Sequence, residues 1–446
     1  MTIATLSQNK KMKSIVVIVT WNRLDLLKPL LESLKKQKDK DFGIIVVDNG
    51  SSDGTLEFLT MEAKRSYSNE LPLWAIFLNS NTGFSVPNNL ALTFALEFLD
   101  FDNFILLNND TLPEDDFIKV LHEKAKSYLT GSDQNNLEIE KKLFPFLSQK
   151  DDWKVGSFAP LVENFYAKGR VDAAGIKIYP DGNAINRGMG ERIFQYNREK
   201  EVFGPSGSAA FYFRKALADV ALPPQKIAIL KGMDSQDTSK ERVWNVRLVN
   251  YNKKIKGVLL PVKEFFSSRH FLYFEDVDLA FRLRLRYWGC VYLPKAKILH
   301  RHSATSKAYS PFKSYFVHRN QYFNIIRDFP SYLILVGFAN AIKRYFYLLR
   351  SLRIEKGPAA MVAKNSSKMT VFGIVIRGWA SILKNLVGLI KDRFYIQSHR
   401  LISPPEFNKL INASRFRASI EKMIFETQDF LKEQKKNDGE DRDRAA

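Results

Sequence analysis

Short apolar runs alternate with amphipathic stretches through the first third of the chain, and their spacing sets the expected elements. Ile15-Val16-Val17-Ile18-Val19 is a β-branched run, the pattern of a strand buried on both faces. Leu26, Leu27, Leu30, Leu31 and Leu34 then recur at helical spacing across Leu24 to Lys36. A second strand, Ile44-Ile45-Val46-Val47, ends at Asp48. Leu73 to Leu78 and Phe104 to Leu107 read as two more, separated by a helix from about Asn88 to Leu99. Strand and helix alternating in this way predict a parallel sheet with right-handed crossovers, in which ligands bind beyond the carboxyl ends of the strands. The polar clusters fall at those ends: Thr20-Trp21-Asn22, Asp48-Asn49-Gly50, Asn79 to Gly83, and Asn108-Asn109-Asp110.

Further strands are expected near Val155 to Pro160, Gly175 to Tyr179 and Ser208 to Phe213. Two stretches read as insertions. Residues 126–152 are polar and lysine-rich, and residues 220–262 carry Pro223-Pro224 and many charges. From about residue 311 the character changes to aromatic and basic helices, and the tail from Lys432 is nearly all charged or small, a composition expected to be disordered. The expected organisation is an α/β domain over 1–310, a basic amphipathic helical region over 311–431, and a disordered tail over 432–446. There is no internal repeat.

Composition sharpens this picture only in part. The chain has 446 residues and a formal net charge of +20, which asks for an acidic partner: nucleic acid, anionic lipid or a phosphorylated substrate. A basic surface with no such partner carries the same charge. One cysteine, Cys290, excludes an intramolecular disulfide and a Cys-based metal site. The first residues contain no apolar run long enough for a signal peptide, and no stretch reaches the roughly 20 uninterrupted apolar residues of a spanning helix. The expected location is cytoplasmic, including the inner face of the cell membrane.

Four places can carry chemistry, and each also has a bland use. Asp48, at a strand's end in Asp48-Asn49-Gly50-Ser51-Ser52-Asp53-Gly54-Thr55, can accept a nucleobase imide N–H; the same residues make a well-capped turn. Asp110 can hold Mg²⁺ or Mn²⁺ shared with two phosphates; Asn108-Asn109-Asp110-Thr111 also suits an ordinary turn before Pro113. Glu275, Asp276 and Asp278 open an arginine-bearing helix, where one carboxylate can be a general base and all three favour the helix dipole. His300 and His302 face one side of a strand as candidate metal or phosphate ligands, or as surface groups.

The order of these pieces resembles the inverting family 2 glycosyltransferases, in particular a rhamnosyltransferase-like branch. The matching phrases are IVVIVTWNRLDLLKPLLESL, IIVVDNGSSDGT, LNSNTGFSVPNN, FILLNNDTLPEDDF, GPSGSAAFYFRK, FLYFEDVDLAFRLRLRYWG and LPKAKILHRHSATS, with RNQYFNIIRDFP after them. The resemblance implies a GT-A fold, a Rossmann-like sheet that binds a nucleotide diphosphate-sugar, and a metal-assisted displacement with inversion at the anomeric carbon. Carried over by position, Asp48 contacts the base and Thr20 and Asn22 the nucleotide. Asn109 serves ribose and phosphate, Asn89 starts a helix whose N–H groups can face phosphate oxygens, Asp110 and His300 hold Mg²⁺ or Mn²⁺, and Asp276 is the general base. The resemblance also implies a dTDP-rhamnose or UDP-sugar donor and a glycan or lipid-linked acceptor in cell-surface polysaccharide synthesis. Asn108 replaces the first acid of the DxD pattern, and Val86-Pro87 stands where small residues are common.

Beyond residue 311, Arg377, Ser381, Lys384, Gly388 and Lys391 form a narrow polar stripe on an otherwise apolar helix, and Asn340, Lys343, Arg344, Arg350 and Arg353 suggest a second basic face. Such helices suit an anionic membrane surface or packing on the α/β domain or a second subunit in a homo-oligomer. Competing functions are a nucleic-acid-binding protein, although no nucleic-acid motif is present and none is expected as partner, and an inactive glycosyltransferase-like scaffold, against which Asp48, Asp110 and Asp276 speak.

Overall fold

The computed structural model describes residues 12–66, 71–129, 153–231, 243–249, 258–301 and 310–413. The tail expected to be disordered, most of the 126–152 segment and His302 lie outside them.

Four parallel strands form the centre, in the order β4-β1-β2-β3: β1 (Met12–Thr20), β2 (Phe42–Asp48), β3 (Leu73–Phe77) and β4 (Phe101–Asn108). Each is buried on both faces, as the β-branched runs require. Right-handed crossovers run through α1 (Leu24–Lys35), α2 (Thr55–Ser66) and α3 (Ser85–Phe98). The last begins three residues before the expected Asn88, with Pro87 inside its first turn, where no donor is lost. The parallel register sets Thr20 beside Asp48 and Val19 beside Asn108, so three strands deliver their polar ends to one edge.

After β5 (Thr111–Pro113) and α4 (Phe117–Leu129), β6 (Lys154–Asn164) carries β7 (Val171–Ala173) on its edge, and β8 (Ile176–Ile178) pairs with β9 (Ala184–Asn186) in a separate hairpin. β10 (Lys200–Val202) and β11 (Ala209–Phe213) follow; β11 runs antiparallel between β4 and β6. After α5 (Arg214–Val220), the segment read as an insertion at 220–262 holds three strands. β12 (Leu222–Lys231), β13 (Val243–Val249) and β14 (Val258–Glu264) extend the sheet beyond β3. Pro223 and Pro224 are tolerated because they fall where the β12–β14 register shifts, between Leu222 and Lys226.

At the opposite, amino end of β1, Ser14 Oγ lies 2.9 Å from His122 Nε2, and His122 Nδ1 lies 2.9 Å from Asp39 Oδ2. These are the atoms of a nucleophilic triad, but Ser14 is fully buried, so the chain of bonds ties α4 to the sheet.

α6 (Glu275–Leu285) precedes β15 (Trp288–His300), which pairs with β6, β10 and β5. The two arginines of α6, Arg282 and Arg284, and Arg286 just after it each have a structural carboxylate. Arg282 donates to Asp278 at 2.9 and 2.8 Å, Arg284 to Glu201 at 2.6 Å, and Arg286 to Asp219 at 3.0 and 2.7 Å. Helices α7 (Pro311–Asp328), α8 (Leu333–Ile354), α9 (Pro358–Asn365), α10 (Lys368–Ser398) and α11 (Pro404–Asn412) complete the described chain. α7 joins them to the sheet: Arg327 donates to the second oxygen of Asp278 and stands 3.5 Å from Asp392 of α10, to which Arg269 also donates.

Asp278, fully buried, therefore neutralises two buried guanidiniums. Asp278→Ala is expected to cost about 3–5 kcal/mol, because it strands Arg327 in the interior. Urea unfolding followed by tryptophan fluorescence reads this as a lowered midpoint; an unchanged midpoint would contradict the assignment.

Candidate active site

The edge at the carboxyl ends of β1, β2 and β4 is tied into one continuous surface. Asp48 is buried at the end of β2, and its Oδ1 accepts from Ser51 N–H at 3.1 Å. Burial pushes its carboxyl above the ordinary value, against the Ser51 hydrogen bonds. Thr20, its register neighbour, accepts from Asn109 Nδ2 at 3.0 Å. Two residues before Asp110, Asn108 N–H donates to Ser208 O at 3.0 Å. Next to Ser208, Gly207 N–H donates to Asp276 Oδ2 at 2.8 Å. Asp48, Thr20, Asn109 and Asp276 are thus linked along one edge of the sheet, with Asp110 following Asn109.

Asp110 and His300 meet because β5 and β15 pair with His300 opposite Thr111. His300 Nε2 is 3.2 Å from Asp110 Oδ1, and His300 Nδ1 is 2.6 Å from Asp172 Oδ2 on β7. Burial alone would lower the imidazole, but Asp110 and then Asp172 outweigh it and raise His300 to about 10. Asp110 Oδ1 is buried, with the His300 ring as its charged neighbour. The pair fits a divalent cation: a carboxylate oxygen and an imidazole nitrogen face each other, and a second carboxylate orients the ring from behind. Among the described residues no cluster of three acidic, His or Cys side chains could hold an ion, so remaining ligands would come from substrate phosphates and water.

Two of the candidate residues have their side-chain amides engaged within the protein. Asn89 is buried, its Nδ2 donates to Phe266 O at 2.7 Å, and its Oδ1 accepts from Phe265 and Phe266 N–H at 2.9 and 2.8 Å. Its amide is fully used by the protein and does not face phosphate. Asn22, at φ +51°, accepts Ser52 N–H on Oδ1 at 2.7 Å, so it shapes the joint between the first two strand-end loops. Asn49 closes the third loop by accepting from Thr82 N–H at 2.9 Å and donating to Gly83 O at 2.8 Å.

Asp276 is carried by a strained turn. Phe271 has φ 62° and ψ −58° with Leu272 N–H donating back to His270 O at 2.7 Å, the rare and strained form of γ-turn. Tyr273 and Phe274 also have positive φ, 67° and 69°. The clamp comes from α7. Asn320 Nδ2 lies 3.0, 2.9 and 2.7 Å from the carbonyls of His270, Leu272 and Tyr273, and Arg319 donates to those of Arg269 and His270 at 2.9 and 2.7 Å. Asn324 adds a 2.6 Å bond to His270 Nε2. Gly83 sits against the turn: a Cβ there would stand 2.3 Å from Phe271 O.

On the strained turn's helical side, Asp276 is half-buried, with Oδ1 accepting from Val277 N–H at 2.8 Å; burial raises its carboxyl despite the Gly207 and Val277 bonds. Glu275 is buried with Oε2 unpartnered, and burial, then the Asp276 charge, push it well above the usual carboxylate range. Sequence reasoning missed Asp172, and also Lys313 of α7, whose ammonium lies over the Tyr273 ring at 5.2 Å and is lowered by burial against the pull of Asp172. Neither has a local sequence signal.

Residues 15–221 match the model of the family described as Glycosyl transferase family 2. Over 129 residues the chain is 34% identical to the uncharacterized glycosyltransferase YfnE of Bacillus subtilis, covering 29% of each protein. Over 117 residues it is 29% identical to the cholesterol galactosyltransferase of Borreliella burgdorferi, covering 26% of this chain and 30% of that one. The aligned regions thus span about three tenths of these relatives' lengths. Among solved structures, S. aureus TarS 1-349 in complex with UDP aligns over 87% of this chain and 90% of its own at 15% identity and a TM-score of 0.41. The mannosyltransferase PcManGT from Pyrobaculum calidifontis in complex with GDP-Man and Mn²⁺ aligns over 88% and 86% at 14% identity and 0.41.

Glu275 gives a direct pH prediction. Its folded-state pKa is raised, so the folded chain keeps the proton that the unfolded chain loses above about pH 4.5. Its share of stability is fully present at lower pH and is lost as pH rises toward the folded value. Glu275→Gln copies the neutral acid, and its melting temperature should match the wild type at pH 4.5 and exceed it at pH 8. An equal gap at both pH values would remove the buried neutral acid.

Proposed function

From the match of residues 15–221 to Glycosyl transferase family 2, we propose that the chain is a glycosyltransferase that moves a sugar from a nucleotide diphosphate donor to a hydroxyl of a glycan or lipid-linked acceptor, with inversion. The observation that carries this reading is the run of contacts from Asp48 through Thr20, Asn109 and Asn108 to Gly207 and Asp276. It supports reading Asp48 as the base-binding acid and Asp276 as the general base of one site, with the Asp110–His300 pair beside Asn109 as its cation-binding part.

In this reading Asp48 accepts the imide N–H of a uracil or thymine base, for which its burial leaves no better partner than a donor from the ligand. Donors of that kind include UDP-sugars and dTDP-rhamnose. Asp110 Oδ1 and His300 Nε2 would hold Mg²⁺ or Mn²⁺, with Asp172 fixing the ring, and the cation would supply positive charge to offset the negative charge on the leaving diphosphate. Lys313 adds a buried positive charge on the same side. Asp276 takes the proton of the acceptor hydroxyl as that oxygen attacks the anomeric carbon. The bond to the diphosphate oxygen breaks on the opposite face, which inverts the configuration. Burial raises the proton affinity of Asp276, which suits a base working near neutral pH.

Two measurements bear on this. With a panel of nucleoside diphosphate sugars and Mn²⁺, Asp276→Asn should bind the same donor as the wild type by thermal shift, yet transfer it about 10²–10⁴-fold more slowly; full transfer would remove Asp276 from its role. Asn320→Ala should relax the strained turn and lower kcat about 10²-fold, the effect of a displacement near 1 Å. Nucleoside diphosphate affinity, set at Asp48, should hold within about two-fold, under 0.5 kcal/mol. Parallel loss of both would make Asn320 a general folding residue.

A further inference from the structure

The C-terminal helices have two faces with different surroundings. On α10, Ile374, Ile382, Leu389 and Ile396 are buried, and Asp392 receives Arg269 and Arg327. On its opposite side Ile376, Leu383, Val387 and Phe394 are 53%, 69%, 84% and 73% exposed. At 100° per residue these four fall within a stripe about 40° wide, and Arg377, Lys384 and Lys391, each exposed, border it along one edge. α8 repeats the pattern. Gly337, Ala341 and Arg344 face inward, while Leu335, Ile342, Phe346 and Leu349 are exposed, interleaved with Lys343 and Arg350. The two helices touch where Trp379 Nε1 donates to Tyr345 Oη at 3.0 Å.

From this we propose that the outward faces of α8 and α10 dock on an anionic lipid bilayer, with the helices lying in the interface. The charges choose the occupant. A protein-covered apolar stripe needs no row of cations beside it, whereas at a bilayer the apolar side chains enter the acyl boundary and the neighbouring Lys and Arg meet lipid phosphates. The net charge of +20 acts in the same direction. By length and composition α10 is apolar enough to cross a membrane. Spanning would tear Asp392 from Arg269 and Arg327 and strip the buried face from the core, so α10 lies on the surface.

The test is flotation of the purified full-length chain with vesicles of phosphatidylcholine alone and of phosphatidylcholine with 30 mol% phosphatidylglycerol. Binding should be confined to the anionic vesicles and weaken as salt is raised from 50 to 500 mM. The exposed double variant Leu383→Glu/Val387→Glu should lose flotation at least ten-fold with an unchanged melting temperature. Absence of binding at 50 mM salt overturns the proposal. So does a dimer, seen by sedimentation, that the double variant dissolves, since the face would then belong to a second copy. Binding that appears only after deletion of residues 414–446 would assign the face to that segment.

Discussion

The site depends on one clamp: the carboxamide of Asn320, in α7, set against three carbonyls of the turn that carries Asp276. Phe271, Tyr273 and Phe274 all hold positive φ, and non-glycine residues in such conformations cost of order 1–3 kcal/mol each. Left to itself this stretch would relax and swing the following carboxylates away. Asn320, Arg319 and Asn324 supply the opposing bonds, and Gly83 lets the nucleotide-side loop press against Phe271 O without a Cβ between. The first three helical turns after the sheet are therefore part of the site. Arg327, farther along α7, fastens the same helix to Asp278, so the clamp cannot slide without breaking a buried ion pair.

The electrostatics divide the acids by task. Asp278 is held ionised by Arg282 and Arg327 even against its burial, and it serves the fold. Glu275 has no cation beside it among the described residues, and burial pushes its carboxyl well above the usual range. Asp276, between them in sequence, keeps two backbone N–H donors and partial access to solvent, which leaves it able to ionise and still take a proton. Across the edge, Asp110 and Asp172 hold His300 between them. One carboxylate stands at each ring nitrogen, so the imidazole is fixed from both sides; in the proposed function this is the support a cation ligand needs.

Much of this was legible because its signals are local. An apolar run ending in Asp48, another ending near Asp110, and an acidic helix start at Asp276 can be read within ten residues each. What failed was long-range. Asn89 opens a helix and so suggests phosphate, but backbone some 177 residues away claims its amide. Asp172 is separated from His300 by 128 residues, and Asn320 from its carbonyls by 47 to 50. Asp172 has no local clue; that of Asn320 is the polar residues recurring on the buried side of an aromatic helix, in the phrase RNQYFN. The strands of the 220–262 segment were hidden by composition: in β14, Leu260 and Val262 are buried while Leu259 and Pro261 point outward, so apolar residues sit on both faces and mask the alternation.

The central claim is that the clamped turn faces a donor held by Asp48 and by a cation on Asp110. A crystal structure of the chain with uridine or thymidine diphosphate and Mn²⁺ tests it most directly. The account predicts the base imide on Asp48, Mn²⁺ between Asp110 Oδ1, His300 Nε2 and the diphosphate, and Asp276 open toward the β-phosphate side. A nucleotide seated away from Asp48, or a Mn²⁺ ion that ignores Asp110, would contradict it.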